Sequence, residues 1–355
     1  MDSFETFPEQ DEAKRLLRAA LVEGPAHAYL FHGPRGVGKR RAAFAFAAEL
    51  LGDPERVGRG VHPDLYVLEP LGDQIRIDPI RDLRRDLHMR PFEAERRVYL
   101  VLRAHLMNED AADALLKDLE EPPPYAVIVL VADELGLLPP TIRSRCQLVP
   151  FRRLSQRAIK AFLSSRGLEG EPLDALARVA AGRLDRAERL LDSDAGERRD
   201  GLIELARAVY LDPTFDPGKA SRTVTDLAQE RAGRARAEVE KDPLPSETQR
   251  ETEQRARRAG RGAEREEVLD ALDLLTGWYR DLLVVTAGAE VAVLNSDKLA
   301  ELAADGLPER GPGAGRAAAT VRDVWRSFEF NVQPGLALEA LFVRLRRELG
   351  GTVQS

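Results

Sequence analysis

The stretch "AYLFHGPRGVGKRRAAFAFAAELLG" constrains this chain more than any other. Ala28 to Gly33 reads as a short buried strand. A glycine-rich turn follows, then a run of helix formers from Lys39 that stops at Gly52. Gly33, Gly38 and Lys39 keep the spacing G-x-x-x-x-G-K of a phosphate-binding loop, in the strand–loop–helix setting such a loop requires. Successive backbone N–H groups and a helix N-terminus draw anions to such a turn. Gly33, Gly36 and Gly38 permit the backbone path, and Lys39 can reach β and γ phosphates. The plainer reading, an unrelated tight glycine turn, does not account for the strand and helix on either side.

The motif is incomplete. A serine or threonine after the lysine normally holds Mg²⁺, and Arg40 stands there instead. Hydrolysis also needs an acid at the end of a neighbouring strand. That strand is expected to be "RRVYLVLRA", where Leu102 and Arg103 occupy the acidic places. Asp110, Asp113, Glu120 and Glu121 lie on or beyond the following helix. Missing both metal-handling elements, the loop is expected to hold ATP or ADP weakly at best and not to hydrolyse it.

Strand and helix patterns alternate up to Phe151. After the first strand come "LYVLEP", "RRVYLVLRA", "AVIVLVA" and "CQLVPF", separated by "IDPIRDLRRDLHM", with Asp78 as its expected cap, and "NEDAADALLKDLEE". Continuous apolar strands between helices predict a parallel sheet covered on both faces. Beyond it the pattern is helical. The expected organisation is an α/β domain over 1–152, a small helical domain over 153–205, a charged helical connector over 206–267 and a helical bundle over 268–350. Residues 231–267, rich in Arg, Glu and Ala and broken by "KDPLPS", read either as a solvated helix face or as a linker.

Composition narrows the function. The chain has 355 residues, 43% hydrophobic and 32% charged, with a formal net charge of -7, so overall charge does not point to nucleic acid. Cys146 is the only cysteine, which leaves no disulfide within the chain and no thiolate cluster for zinc. The acidic start "MDSFETFPEQ" does not read as a signal peptide, and the cytoplasm is the expected location. Arg81, Arg84, Arg85 and Arg90 would suit DNA phosphates only on a one-sided basic surface, and acids are interleaved with them.

In "LLPPTIRSRCQLVPF", Arg145 falls between an apolar helical turn and a buried strand. It is either an ordinary surface charge or a guanidinium placed to enter a partner's active site. With "HAYLFHGPRGVGK", "HPDLYVLEP", "ADALLKDLEEPP" and "PPTIRSRCQL" together, the chain resembles bacterial clamp-loader subunits, most closely the delta-prime subunits of DNA polymerase III. The late "NVQPGLALEALFVRL" is similar to the end of that family's collar domain.

The resemblance implies an AAA+-like domain, a helical lid and a C-terminal collar. It implies a place in an assembly with gamma/tau motor subunits and a delta subunit, which loads the sliding clamp on primer-template DNA. It also makes Arg145, between Ser144 and Cys146, an arginine finger acting in trans, and makes Gly33, Gly36, Gly38 and Lys39 a vestigial nucleotide loop. Arg186 in "GRLDRAERL" stands where the lid often carries a phosphate-sensing arginine; its plainer reading is a solvated helix charge. The four-cysteine zinc module frequent in the family is replaced by "LLGDPERVGRGVHPD", so no zinc is expected and no metal ligand is assigned. The alternatives are a catalytically active clamp-loader ATPase with an atypical site and a DNA-binding adaptor of the same fold.

Overall fold

The computed structural model describes residues 3–70, 74–133, 135–242, 248–328 and 333–350. "KDPLPS" and the start of "NVQPGLALEALFVRL" lie partly outside them. The chain forms two compact units, which divide between Leu191 and Asp192.

The first unit is built on five parallel strands: β1 (Ala28–His32), β2 (Leu65–Leu68), β3 (Arg97–Val101), β4 (Ala126–Ala132) and β5 (Gln147–Pro150). Their order is β2-β3-β4-β1-β5. Side chains alternate across the sheet. Tyr29 and Phe31 pack with Phe46, Phe7 and Leu17 on one face. Ala28 and Leu30 pack with Tyr99, Ile128 and Leu115 on the other. Helices Asp11–Glu23 and Lys39–Leu51 cover the first face, and Ile77–Leu87 and Glu109–Glu120 the second. The expected doubly covered sheet is therefore present.

One expectation is corrected. Strand β3 is not the neighbour of β1, because β4 lies between them. Every residue of β4 is buried, and an all-apolar strand is best placed where both edges are paired and both faces covered. A smaller difference is that the helix expected to be capped by Asp78 begins at Ile77, and Asp78 pairs with Arg81 in its first turn.

The interval before "HPD" is held by polar contacts. Asp53 caps the short helix Pro54–Gly58 by accepting from the Arg56 N–H at 2.9 Å. Asp64, fully buried, accepts from the N–H groups of Phe92, Glu93 and Ala94 at 2.6, 2.9 and 2.9 Å. His62 Nδ1 accepts the Asp64 N–H, and its Nε2 lies 3.2 Å from Glu93. Helices Gln156–Ser164, Glu171–Val179 and Leu184–Arg189 complete the unit around Leu154, Ile159, Leu163, Ala177 and Leu184.

The second unit is helical, with a core around Trp278, Tyr279, Leu272, Leu275, Leu341 and Phe342. The charge-rich region contributes two long helices, Pro217–Lys241 and Gln249–Thr286. They run antiparallel: Arg231 meets Glu267 at 2.6 Å, and Arg236 lies over Gly260. Ala232, Ala256 and Gly260 are buried along this pair, so small residues let the two backbones approach.

Asp64→Ala should lower unfolding free energy by about 3 kcal/mol, since it removes the buried acceptor shared by three part-buried backbone N–H donors. Burial pushes the Asp64 carboxyl up, but its backbone N–H bonds prevail and hold it below the ordinary range. Its contribution should persist above the unfolded carboxylate value, about 3.9, and fade as the pH falls through the lower folded value. Denaturant titrations of both proteins at neutral and acid pH check this; equal midpoints at neutral pH would refute it.

Candidate phosphate-loop site and rim arginine

The loop after β1 takes the path its glycines allow. Gly33, Gly36 and Gly38 have φ of 141°, 76° and 100°. A Cβ on Gly33 would also lie 2.1 Å from the Phe151 carbonyl oxygen. Lys39 opens the next helix and is only 4% exposed. Its Nζ donates to the Gly33 and Pro34 carbonyls at 2.7 and 2.5 Å and lies 2.8 Å from Asp133 Oδ1. Burial lowers the affinity of this amine for its proton, and Asp133 works against that. Burial conversely raises the Asp133 carboxyl, but Lys39 together with His105 and Arg35 holds it below the ordinary range. The Asp133 N–H donates to His105 Nδ1 at 3.2 Å.

The acid expected after β3 is not there: Leu102 is buried and Arg103 adopts a left-handed conformation. The strand beside β1 is β4, and the acid after its last residue is Asp133. The signal was the Asp in "VIVLVAD". Arg40 is exposed, pairs with Glu69 at 2.6 Å and lies over the Phe44 ring. It supplies no oxygen for Mg²⁺.

The small helices dock on the loop. The N–H groups of Leu184 and Asp185 donate to the Gly36 carbonyl at 2.7 and 3.3 Å. A Cβ on Gly36 would fall 1.9 Å from Asp185 Oδ1. Arg183 donates to both Asp185 oxygens at 3.1 and 2.9 Å, and Arg189 to Oδ2 at 3.3 Å. Burial raises the Asp185 carboxyl, but Arg183 and then Arg189 hold it well below the ordinary range. Arg186, the residue considered from sequence, is half-buried and gives its backbone N–H to Asp185 at 2.7 Å. Asp185 was not considered.

Arg145 lies between the helical turn Pro140–Arg143 and β5, its side chain a third exposed. Its Nε donates to Glu120 Oε1 at 2.7 Å, and its Nη1 to the Thr141 carbonyl at 2.9 Å and to Ser144 Oγ at 3.3 Å. The two most diagnostic motifs, "LLKDLEEPP" and "SRC", thus meet in one ion pair. Cys146 packs against the apolar face, and burial pushes its thiol up to about 12, which makes it structural and unreactive.

Three of the arginines considered for DNA are partnered: Arg81 by Asp78, Arg85 by Asp82 and Arg84 by buried Asp118. Cys146 is the sole thiol of the sequence, and among the described residues no group of His, Cys, Asp or Glu is placed to hold a metal ion. Among them, too, no helix is long and apolar enough to cross a membrane.

A parallel sheet with its phosphate loop after β1 and a helical lid resting on that loop defines an AAA+-like nucleotide fold. The profile of the family described as "DNA polymerase III, delta subunit" matches residues 9–155. DNA polymerase III subunit delta' of Pseudomonas aeruginosa is 38% identical over 199 residues, covering 50% of this chain and 60% of that protein. Its Bacillus subtilis counterpart is 30% identical over 197 residues, covering 52% and 60%. The Bacillus subtilis subunit tau is 32% identical over 209 residues, covering 53% and 37%. The similarity to delta-prime and tau subunits of DNA polymerase III is thus confined to about half of this chain. It spans less than two thirds of the length of each of these relatives.

Gly33→Ala should destabilise the first unit, because both its φ and the Phe151 backbone oppose a side chain. A loss of about 2 kcal/mol or more should appear as a melting temperature lower by roughly 4 °C or more. An unchanged melting temperature would show that the loop relaxes freely.

Proposed function

We propose that this chain is a non-motor, delta-prime-type subunit of a cytoplasmic DNA polymerase III clamp loader, and that it lends Arg145 to the nucleotide site of a neighbouring motor subunit. The observation that carries this reading is the state of Lys39. The cation that should meet the β and γ phosphates is buried against two carbonyls and Asp133. With Arg40, paired at the surface with Glu69, in the place of a metal-binding hydroxyl, the loop keeps the shape of a nucleotide site without the groups that perform hydrolysis.

Arg145 is in the opposite condition. It is partly exposed, oriented by Glu120, Thr141 and Ser144, and its planar guanidinium suits phosphoryl oxygens better than an ammonium would. In the assembly it would exchange the Glu120 carboxylate for oxygens of a γ-phosphoryl group held by a gamma/tau-type subunit. There it would stabilise charge that develops during transfer. The partners under this reading are the motor subunits and delta subunit, with the sliding clamp and primer-template DNA met through the complex. No zinc enters it, and ATP or ADP would bind here weakly and nearly independently of Mg²⁺.

Asp133 favours a second reading. A strand-end acid beside the loop is what an atypical ATPase would use, provided it could leave Lys39. Phosphate release decides between them. The isolated chain should show no Mg²⁺-dependent ATP hydrolysis above a blank; turnover that disappears in Lys39→Ala would establish the atypical ATPase instead.

In a reconstituted complex, Arg145→Ala should leave folding and assembly intact and lower ATPase stimulated by clamp and primed DNA. At the one affected site the loss should be on the order of 10²-fold. The total rate should fall less, since other sites keep their own fingers. Arg143→Ala should have a smaller effect. Unchanged ATPase and clamp loading in a fully assembled Arg145→Ala complex, verified by gel filtration, would show that Arg145 does not act in trans.

A further inference from the structure

The loop has a second negatively charged neighbour, supplied by the small helices. The first turn of Leu184–Arg189 caps the Gly36 carbonyl with its own N–H groups, and this brings the Asp185 carboxylate onto the Cα of Gly36. The contact leaves no room for a methyl group, let alone a phosphate, between loop and carboxylate. Around this carboxylate stand Arg183 and Arg189 as hydrogen-bond donors, with Lys39 and Arg35 within electrostatic reach. Such a collection of cations beside a glycine loop is what a polyphosphate requires. Here carboxylates of the same chain take it, Asp133 at Lys39 and Asp185 at Gly36.

We propose that Asp185 is the resident anion of the phosphate loop, and that it excludes the pyrophosphate portion of nucleoside di- and triphosphates from Gly33–Lys39. The inference rests on the reading of this loop as a non-hydrolytic cradle and adds the residue that closes it. The backbone N–H groups of Leu184 and Asp185 fasten the lid helix to the loop, and Arg183 and Arg189, from the same segment, hold the Asp185 carboxylate in place beside Gly36. Asparagine at this position keeps the shape and several hydrogen bonds but removes the charge. The cations then face a loop with one fewer internal anion, and an external polyanion can enter.

The test is calorimetric titration of the full chain with inorganic pyrophosphate and with ADP, each with Mg²⁺ and with EDTA. Native protein should bind both weakly. Asp185→Asn should bind both at least about tenfold tighter, the size of effect one neighbouring like charge exerts on an anion. The gain should survive EDTA and be lost on adding Lys39→Ala, which places the new site at the loop. If Asp185→Asn does not fold by circular dichroism, Asp185→Ser serves in its place. A folded variant with native affinity, or a gain that ignores Lys39→Ala, overturns the exclusion and leaves the non-hydrolytic reading standing. Tight Mg²⁺-dependent ATP binding by native protein overturns the exclusion and contradicts the weak cradle. ATP turnover by native protein is what would overturn the non-motor assignment itself.

Discussion

A buried ammonium sets the terms for the first unit. Lys39 is out of water, and a charge in that position is tolerated only with close partners of opposite sign and well-placed acceptors. Two of its acceptors are local, the carbonyls of Gly33 and Pro34, and they exist because the loop folds back over its own lysine. The carboxylate is not local. It arrives because β4 pairs with β1 in a register that sets His32 opposite Ala132, which brings the next residues, Gly33 and Asp133, to the same edge of the sheet. Strand order, register and the neutralisation of Lys39 are therefore one fact. A sheet with β3 beside β1 would put Leu102 and Arg103 there and leave the ammonium facing an apolar group and a cation.

This explains what was legible in the sequence and what was not. The strands, the glycine loop and the helices around them follow from local pattern, because a continuous apolar run or a G-x-x-x-x-G-K turn carries its own instructions. Strand order does not, since parallel pairing joins segments far apart and any apolar strand satisfies the local pattern. The error over β3 and the neglect of Asp133 have that single origin. Asp185 was further out of reach: nothing in "GRLDRAERL" says that its acid, rather than its arginines, touches residue 36. The charged stretch from 231 to 267 was ambiguous for another reason. Its composition suits a solvated linker as well as a helix, and the decision lies in sparse small residues such as Ala232, Ala256 and Gly260, which let two helices come together.

Both carboxylates at the loop are paired with cations, and the backbone keeps the glycine path of an anion site. The lid also has a fixed seat there, because the N–H groups of Leu184 and Asp185 take the Gly36 carbonyl that the turn presents. The same atoms that resemble a nucleotide site thus serve as an internal joint.

Arg145 and Arg84 show how two arginine–carboxylate pairs in one domain differ in use. Arg84 is paired with Asp118, whose side chain is 3% exposed; separating them would strand a buried charge, at a cost of roughly 3–5 kcal/mol. Arg145 is paired with Glu120, whose side chain is 48% exposed, and a pair of that kind contributes only about 0–1 kcal/mol. Water solvates Glu120 once the guanidinium leaves, so the pair orients Arg145 without trapping it. The carbonyl of Thr141 and the hydroxyl of Ser144 narrow its range further, since both come from the turn that carries it. An arginine held in this way would have little of its own binding to undo on meeting a phosphate. An arginine committed to a buried aspartate could not do so without unfolding part of its own domain.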